Sequence, residues 1–158
     1  MENKQPLVSI FIVSYNHAKF IEECVASVFE QTYKNIEVYV IDDASTDNID
    51  QIIENLKEKY KFNYIKNIEN KGLVKNLNKY LPLYAKGEFV CIVAADDKWT
   101  PDKFEKQVNF LNNNPDISAC WANVYVIDEN SNIIGSFSDT NTNYTFEDVF
   151  LINHILPA

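Results

Sequence analysis

Two pairs of adjacent aspartates follow apolar segments of this chain, and their chemistry suits a cation together with a polar ligand. Asp42 and Asp43 follow VYVI, and Asp96 and Asp97 follow FVCIVAA. Adjacent carboxylates at the end of a buried strand repel each other and lose hydration, so a positive group is expected beside them. Ligands of open α/β sheets bind in the crevice outside the carboxyl ends of the strands. We therefore expect both pairs to contribute to one site.

The segments that must position these aspartates alternate between strand-like and helix-like patterns. This alternation is typical of an α/β, Rossmann-like fold, with a mainly parallel central sheet and helices on both faces. Strands are predicted over 7–13, 36–41, 62–66 and 88–94. Helices are predicted over 17–31, from Ser45 or Asp47 to Tyr60, over about 73–86, and from Thr100 and Pro101 onwards. A hairpin of strands 117–127 and 133–137, joined by DENSN, and a helix over about 145–153 complete the prediction.

Helix boundaries are predicted from capping and breaking residues. Asn16 should cap the first helix, and Ser45 or Asp47 the second. The third helix should be kinked or shortened at Pro82 and should end at a cap formed by Gly87. Its buried stripe is predicted to consist of Leu73, Leu77, Leu81 and Tyr84.

Length, composition and charge limit the classes of function. The 158 residues fit one domain, and 46% apolar with 23% charged residues is ordinary for a globular protein. A formal net charge of −9 argues against a nucleic-acid-binding surface, which needs clustered basic residues. No apolar run approaches the ~20 residues that span a bilayer, and no signal peptide precedes the first strand. The protein is expected in the cytoplasm.

The cysteines carry no pattern of a metal or disulfide framework. They are widely spaced, odd in number and set in apolar segments, which predicts buried, reduced thiols and a reducing compartment. They are Cys24, Cys91 and Cys120.

In this order, the segments resemble the family 2 glycosyltransferases, which are inverting enzymes of the GT-A fold. The matching residues are VSIFIVSYNHAKFIEECVASVFEQTYKNIEVYVIDDASTD and NKGLVKNLNKYLPLYAKGEFVCIVAADDKWTPDKFEKQV. The resemblance implies transfer of a sugar, with inversion, from a nucleotide-sugar to a glycan or lipid-linked acceptor, as in polysaccharide or cell-wall biosynthesis. A UDP-sugar is the expected donor. Residues 1–158 would form a single nucleotide-sugar-binding domain that ends before the acceptor-binding half.

The resemblance also assigns roles to individual residues. Asp97, together with Asp96, is expected to hold a divalent cation, Mn or Mg, which takes oxygen ligands from carboxylates and from phosphates. Asp96 would also lie near the ribose. Asp43, with Asp42 as the fallback, would accept the N3–H of uracil. The remaining expected nucleotide contacts are Tyr15 by stacking, the backbone near Val13 and Ser14, and Lys75.

Each of these assignments has a purely structural alternative. Asp96 and Asp97 would then form a polar turn before the helix at Pro101, and Asp42 and Asp43 would cap the helix after Ser45. Tyr15 would pack at the rim of the site, and Lys75 would be a solvated surface residue. His17 is expected at the surface or in a cap, Trp99 in packing, and Gly72 in a turn that needs positive φ.

Some features depart from the resemblance or lie outside this chain. Ala94 stands where the family pattern DxDD often has its first acidic residue. The catalytic base is expected beyond Ala158, so this chain should bind donor weakly and be inactive alone. Membrane contact would require segments outside it, and the sequence does not determine the oligomeric state.

Three other interpretations stay open. A degenerate nucleotide-binding or assembly module without catalysis would explain Ala94. A phospho-receiver domain would need a lysine after a late strand, and the second aspartate pair stands there instead. A nucleotidyltransferase would need a glycine-rich, basic loop after the first strand, and IVSYNHAKF has neither feature.

Overall fold

A computed structural model of the chain describes residues 5–137 and Thr145. Two compact units are present, residues 1–113 and residues 114–158. Within the described residues, no helix is long and apolar enough to cross a membrane. The helix predicted over 145–153 lies outside the described residues, apart from Thr145.

The first unit alternates strands and helices as predicted. Its elements are β1 (Val8–Ser14), α1 (Ile21–Phe29), β2 (Ile36–Asp42), α2 (Ile49–Lys59), β3 (Asn63–Lys66), α3 (Leu73–Tyr84), β4 (Phe89–Ala94) and α4 (Lys103–Asn113). The four strands form one parallel sheet in the order β3-β2-β1-β4. The predicted α/β class with a mainly parallel sheet is confirmed.

Alternate side chains of the strands build two separate cores. On one face, Ile10 and Ile12 of β1 and Val40 of β2 pack with apolar residues of α1, α2 and α4. On the other face, Phe11 and its neighbours pack under α3. Because helices cover both faces of the sheet, residues at the even and the odd positions of β1 are removed from water, which explains its continuous apolar sequence. Helices on both faces are thus confirmed.

The caps of the first two helices differ from the prediction. The N-caps of α1 and α2 are Phe20 and Asn48, and neither makes a side-chain capping hydrogen bond within the described part of the chain. Asn16 has φ 58°, and its side-chain oxygen accepts the Thr46 N–H at 2.8 Å. Asp47 accepts the Ala18 N–H at 2.8 Å. The predicted caps instead tie the two loops that follow β1 and β2 to each other.

Helix α3 buries a stripe shifted from the one predicted, since Leu77 and Leu81 are only half-buried, with Leu81 packed against the second core. Leu73 is 53% exposed and Tyr84 is 38% exposed, whereas Asn76 and Tyr80 are only 3% and 5% exposed. The inward face is therefore rotated by one residue, because the ring of Tyr80 fills the second core and its hydroxyl reaches a buried amide. Pro82 lies inside the helix, which ends two residues later at Tyr84, as a shortening at Pro82 predicts.

Gly87 has a packing role and not the predicted capping role, since the C-cap of α3 is Ala85. A Cβ at Gly87 would lie 2.6 Å from the Leu7 carbonyl oxygen and 2.7 Å from the Ser9 nitrogen. The Gly87 N–H donates to the Ser9 hydroxyl at 2.7 Å. Glycine is needed here because β4 enters the sheet in direct contact with the β1 backbone.

The second unit contains an antiparallel pair, β5 (Val124–Ile127) and β6 (Ile133–Phe137). The predicted hairpin is confirmed, but its first strand begins at Val124 and not at residue 117. Asp128 organises the turn by accepting the backbone N–H groups of Asn130 and Asn132, both at 2.9 Å.

All three cysteines are reduced thiols, as predicted, but only Cys24 has the predicted burial, since Cys91 and Cys120 are half-buried. Cys24 is buried, and its thiol contacts the Ala94 carbonyl oxygen at 3.6 Å. Burial, with a smaller contribution from the charges of Asp97 and Asp96, raises the pKa of Cys24 to about 12. Burial also raises the pKa of Cys91.

Candidate functional site

The parallel register brings the two aspartate pairs to the same edge of the sheet. Ser14 of β1 lies opposite Asp42 of β2, and Val13 lies opposite Ala94 of β4. The Ser14 carbonyl accepts the Asp43 N–H at 2.9 Å, and the Val13 carbonyl accepts the Ala95 N–H at 2.9 Å. Val13 and Ser14 thus form the backbone centre of this edge, with one aspartate pair following the strand on each side.

Tyr15 is the exposed aromatic residue next to that centre. It is 45% exposed and directly follows β1. The next residue fixes the loop, because the Asn16 N–H donates to the Ser45 hydroxyl at 2.8 Å while its side chain binds Thr46. The Tyr15 ring is therefore presented to solvent from a loop that is anchored on both sides.

Asp42 is completely buried, at 0% exposure. Its carboxylate accepts the Ser45 hydroxyl and the Ser45 N–H, and its other oxygen accepts the Tyr64 hydroxyl at 3.2 Å. Burial, followed by the charges of Asp42 and Asp50, raises the pKa of Tyr64, so the hydroxyl stays protonated and donates. These contacts direct the carboxylate into the protein and make Asp42 an anchor for the loop after β2.

Asp43 is 6% exposed and accepts hydrogen bonds from the loop that joins β3 to α3. Its Oδ1 accepts the Asn67 side-chain amide at 2.7 Å and the Lys71 N–H at 2.9 Å, and its Oδ2 accepts the Gly72 N–H at 2.7 Å. Burial alone would raise the pKa of Asp43, but hydrogen bonds from these groups and from Asn76 outweigh it and lower the pKa. The side chain is therefore an ionised acceptor.

A chain of buried polar side chains continues from Asp43 into helix α3. The Asn67 amide nitrogen also donates to the Asn76 side-chain oxygen at 2.6 Å, and the Tyr80 hydroxyl donates to the Asn67 oxygen at 2.6 Å. The sequence prediction missed all three residues. The available signal was an asparagine four residues before a tyrosine on one face of an amphipathic helix.

Lys75 lies in the first turn of α3 and is exposed. The helix begins after Gly72, whose φ of 79° confirms the predicted positive φ. A Cβ at Gly72 would meet no heavy atom of the described residues within 4 Å, so backbone conformation and not crowding favours glycine here. Since the Gly72 N–H binds Asp43, the start of α3 is fixed to the strand edge. The structure thus links the helix that carries Lys75 to Asp43.

Asp96 and Asp97 follow β4 and are both exposed at the surface. Partial burial raises the pKa of Asp97, the charge of Asp96 adds to the increase, and His17 opposes it. His17 Nδ1 lies 3.8 Å from Asp96 Oδ1 and is itself buried, with no hydrogen-bond partner among the residues that the structure describes. The His17 ring nitrogen therefore lies next to the Asp96 carboxylate, and the charges of both groups act on Asp97.

The segment after Asp97 is fastened to helix α1 and the residues that follow it. The Trp99 N–H donates to the Ser27 hydroxyl at 3.2 Å. The side chain of Gln31 is fully buried, donates to the Thr100 carbonyl at 2.7 Å and accepts the Phe104 N–H at 3.1 Å. Trp99 packs on Phe104, as predicted for a packing residue. These contacts fix the position of the segment that follows Asp96 and Asp97.

The donor set fits a divalent cation that a ligand completes, but not a metal site built by protein alone. Over residues 5–137 and Thr145, no group of three or more His, Cys, Asp or Glu is arranged to hold a metal ion. The charge of Asp96 adds to the raised pKa of Asp97, and a cation would relieve this repulsion. Mn and Mg are commonly held by one or two carboxylates plus substrate phosphate oxygens.

Comparison with known proteins gave consistent matches. The family described as Glycosyl transferase family 2 matches residues 9–156. An uncharacterised glycosyltransferase of Methanocaldococcus jannaschii is 34% identical over 151 residues, which cover 94% of this chain and 51% of that protein. A UDP-Glc:alpha-D-GlcNAc-diphosphoundecaprenol beta-1,3-glucosyltransferase of Escherichia coli, WfaP, is 36% identical over 132 residues, which cover 84% of this chain and 51% of that protein. The chain thus spans about half the length of these relatives.

A solved structure also matches. The mannosyltransferase PcManGT from Pyrobaculum calidifontis, in complex with GDP-Man and Mn2+, superposes with a TM-score of 0.64 and 31% sequence identity. The superposition covers 69% of this chain and 33% of that one.

Proposed function

Because the chain belongs to glycosyl transferase family 2, we propose that it is the donor-binding part of an inverting glycosyltransferase. The family and the GT-A fold expected from the sequence are both confirmed. The proposed reaction moves a sugar from a nucleotide-sugar, with UDP as the expected nucleotide, to a glycan or lipid-linked acceptor. One observation carries the proposal. An ionised Asp43 and the Asp96–Asp97 pair follow the two strands that flank β1, at the same end of the parallel sheet.

Asp43 is proposed as the residue that recognises the base. An ionised carboxylate only accepts hydrogen bonds, so it favours a base that presents an N–H, as uracil does at N3. The base N–H would share Oδ2 with the Gly72 N–H. Tyr15 supplies an exposed ring for stacking, and the backbone of Val13 and Ser14, which precedes it, lies between the two aspartate pairs. Asp42 contributes by holding the adjacent loop, since its carboxylate is buried.

Asp97 and Asp96 are proposed to hold Mn or Mg against the diphosphate, with Asp96 also close to the ribose. When bound, the cation neutralises charge on the departing diphosphate. Lys75 is proposed to attract the anionic part of the donor, and its exposure at the start of α3 supports this role. The relative from Escherichia coli and the PcManGT complex support a nucleotide-sugar donor.

Inversion requires one displacement at the anomeric carbon by the acceptor hydroxyl. A carboxylate base must remove the hydroxyl proton from within ~3 Å. We assign this base to residues beyond Ala158, so this chain alone would bind donor without transferring sugar. The diphosphoundecaprenol in the name of the Escherichia coli relative supports a lipid-linked acceptor, and we propose a cytoplasmic reaction at the inner face of the membrane.

Calorimetric titration of the 158-residue chain with UDP, with and without Mn, tests the proposal. We expect binding that Mn strengthens, and we expect Asp97→Asn to remove the effect of Mn while keeping the fold. Glu58→Gln, which makes the same charge change on the exposed face of α2, is the matched control. Absence of UDP binding at millimolar concentration by a folded chain would exclude the proposal.

Ala94 keeps one alternative open, a nucleotide-binding or assembly module without catalysis. This residue replaces a possible ligand of the cation. In that case UDP would bind equally well with and without Mn, and Asp97→Asn would bind UDP with the same affinity as the unmodified chain.

A further inference from the structure

Asn67 and Tyr80 form a buried polar chain behind Asp43 that the proposed function does not use. The Tyr80 hydroxyl donates to Asn67 Oδ1 at 2.6 Å, and Asn67 Nδ2 donates to Asp43 Oδ1 at 2.7 Å. Asn67 and Tyr80 are 6% and 5% exposed. A buried polar group without a hydrogen-bond partner costs free energy. The hydrogen bonds of Asn67 and Tyr80 therefore favour one arrangement of their side chains.

The donor and the acceptor of each hydrogen bond between Tyr80, Asn67 and Asp43 are determined. A carboxylate can only accept, so the nitrogen of the Asn67 amide must face Asp43. The Lys79 ammonium lies 3.0 Å from the Tyr80 hydroxyl and can only donate to it. The hydroxyl must then give its own proton to the Asn67 oxygen. Tyr80 therefore locks the Asn67 amide in the one orientation that supports an ionised Asp43.

The other contacts of the amide agree with this orientation. The second N–H of Asn67 donates to the Asn76 side-chain oxygen at 2.6 Å, so both its amide hydrogens are used. The Asn67 backbone N–H donates to the Asp42 carbonyl at 2.8 Å and fixes the residue to the end of β2. A reversed amide would place its oxygen against the Asp43 carboxylate and lose both side-chain donations.

We propose that Asn67 and Tyr80 are positioning residues for base recognition, which hold the Asp43 carboxylate as a pure acceptor and so make the site prefer bases with an imide N–H. This inference rests on the proposed role of Asp43. Uracil presents such an N–H at N3, and guanine presents a comparable ring N–H at N1, whereas cytosine presents a lone pair at N3. The ratio of UDP affinity to CDP affinity therefore measures how well the Asp43 carboxylate is held as an acceptor.

Tyr80→Phe tests the inference because it removes only the hydroxyl at the end of the polar chain. The matched control is Tyr84→Phe, which removes a hydroxyl from the neighbouring ring, stacked on Tyr80 with centroids 6.1 Å apart. The 158-residue chain and both variants are titrated with UDP and with CDP in the presence of Mn. Asp43→Asn serves as the reference for lost base recognition.

We expect the unmodified chain to bind UDP about tenfold or more tightly than CDP, as one hydrogen bond to a charged group allows. Tyr80→Phe should reduce the ratio of UDP affinity to CDP affinity about three- to tenfold, mainly by weakening UDP binding. Tyr84→Phe should preserve this ratio. If Tyr80→Phe keeps the full ratio, or weakens UDP and CDP equally, the positioning role is excluded while the proposed function stands. If the unmodified chain binds neither nucleotide, the proposed function and this inference both fail.

Discussion

At the scale of single residues, adjacent side chains at the strand edge have opposite environments. Asp42 points into the protein and is fully buried among Ser45, Tyr64 and Lys66, while Asp43 receives the loop before α3 and is 6% exposed. The alternation of side chains along β2 sets this difference, since Asp42 shares the face of Val40. Asp42 holds the loop after β2 and Asp43 holds the loop before α3.

Asp43 should make part of the stability depend on pH in the acid range. Its pKa is lowered in the folded state, so its contribution is present above the unfolded pKa of about 3.9 and is lost as the pH falls through the folded pKa. In Asp43→Asn, unfolding free energy should be lower at pH 6 and should fall less steeply between pH 5 and pH 3. Urea unfolding across this range measures both, and parallel curves for the two proteins would contradict the assignment.

Cys24 should be chemically inert in the folded protein. Burial raises the pKa of its thiol to about 12, so very little thiolate forms at pH 8. Iodoacetamide should leave Cys24 unlabelled in native protein and label it once urea is added, as peptide mass spectrometry would show. Rapid native labelling of Cys24 would mean that α1 opens from the sheet far more often than its packing implies.

At the scale of elements, loops that follow neighbouring strands stabilise one another. The loop after β1 is tied to the loop after β2 through Asn16 and Asp47, and the loop after β3 is tied to Asp43. Helix-capping rules predict that these polar residues cap the helices that follow them. In the structure they form hydrogen bonds between loops instead. Within the described residues, this arrangement leaves the N-termini of α1 and α2 without side-chain caps and fixes the strand edge where the candidate site lies.

The entry of β4 into the sheet should tolerate no side chain at Gly87. In Gly87→Ala, the new Cβ would lie within 2.8 Å of three backbone atoms, so the strand must shift. We expect a loss of about 1–3 kcal/mol in the free energy of unfolding, measured by urea denaturation. Gly135→Ala is the control, because its nearest contact would be an ordinary 3.7 Å, and it should change stability little. Equal effects of the two substitutions would exclude the close-contact explanation.

At the scale of the whole molecule, every candidate site residue falls in the first compact unit. This unit, residues 1–113, contains the parallel sheet and the four helices, whereas the hairpin of β5 and β6 belongs to residues 114–158. The single domain expected over 1–158 stays a prediction. The candidate donor site and the structural core are thus concentrated in the same unit.

A chain shortened to residues 1–113 should therefore fold and retain UDP binding. The two apolar cores lie wholly in this unit, and so does the network around Asp43. Circular dichroism should show a cooperative thermal transition, and UDP with Mn should raise its midpoint by mass action. A shortened chain that folds but binds UDP more than about tenfold more weakly than the full chain would show that residues 114–158 contribute to donor binding.

Local pattern was enough to determine the alternating elements, the parallel sheet and the strand edge where Asp43 and Asp97 emerge, because apolar periodicity and parallel register are repetitive. The resemblance carried by the motifs identified the family. Tertiary structure alone decided that Asp42 turns inward, that α3 presents Asn76 and Tyr80, and that Asn16 bridges two loops. Those choices depend on buried polar groups finding partners far away in the sequence, such as Tyr80 with Asn67, and no local rule specifies such partners.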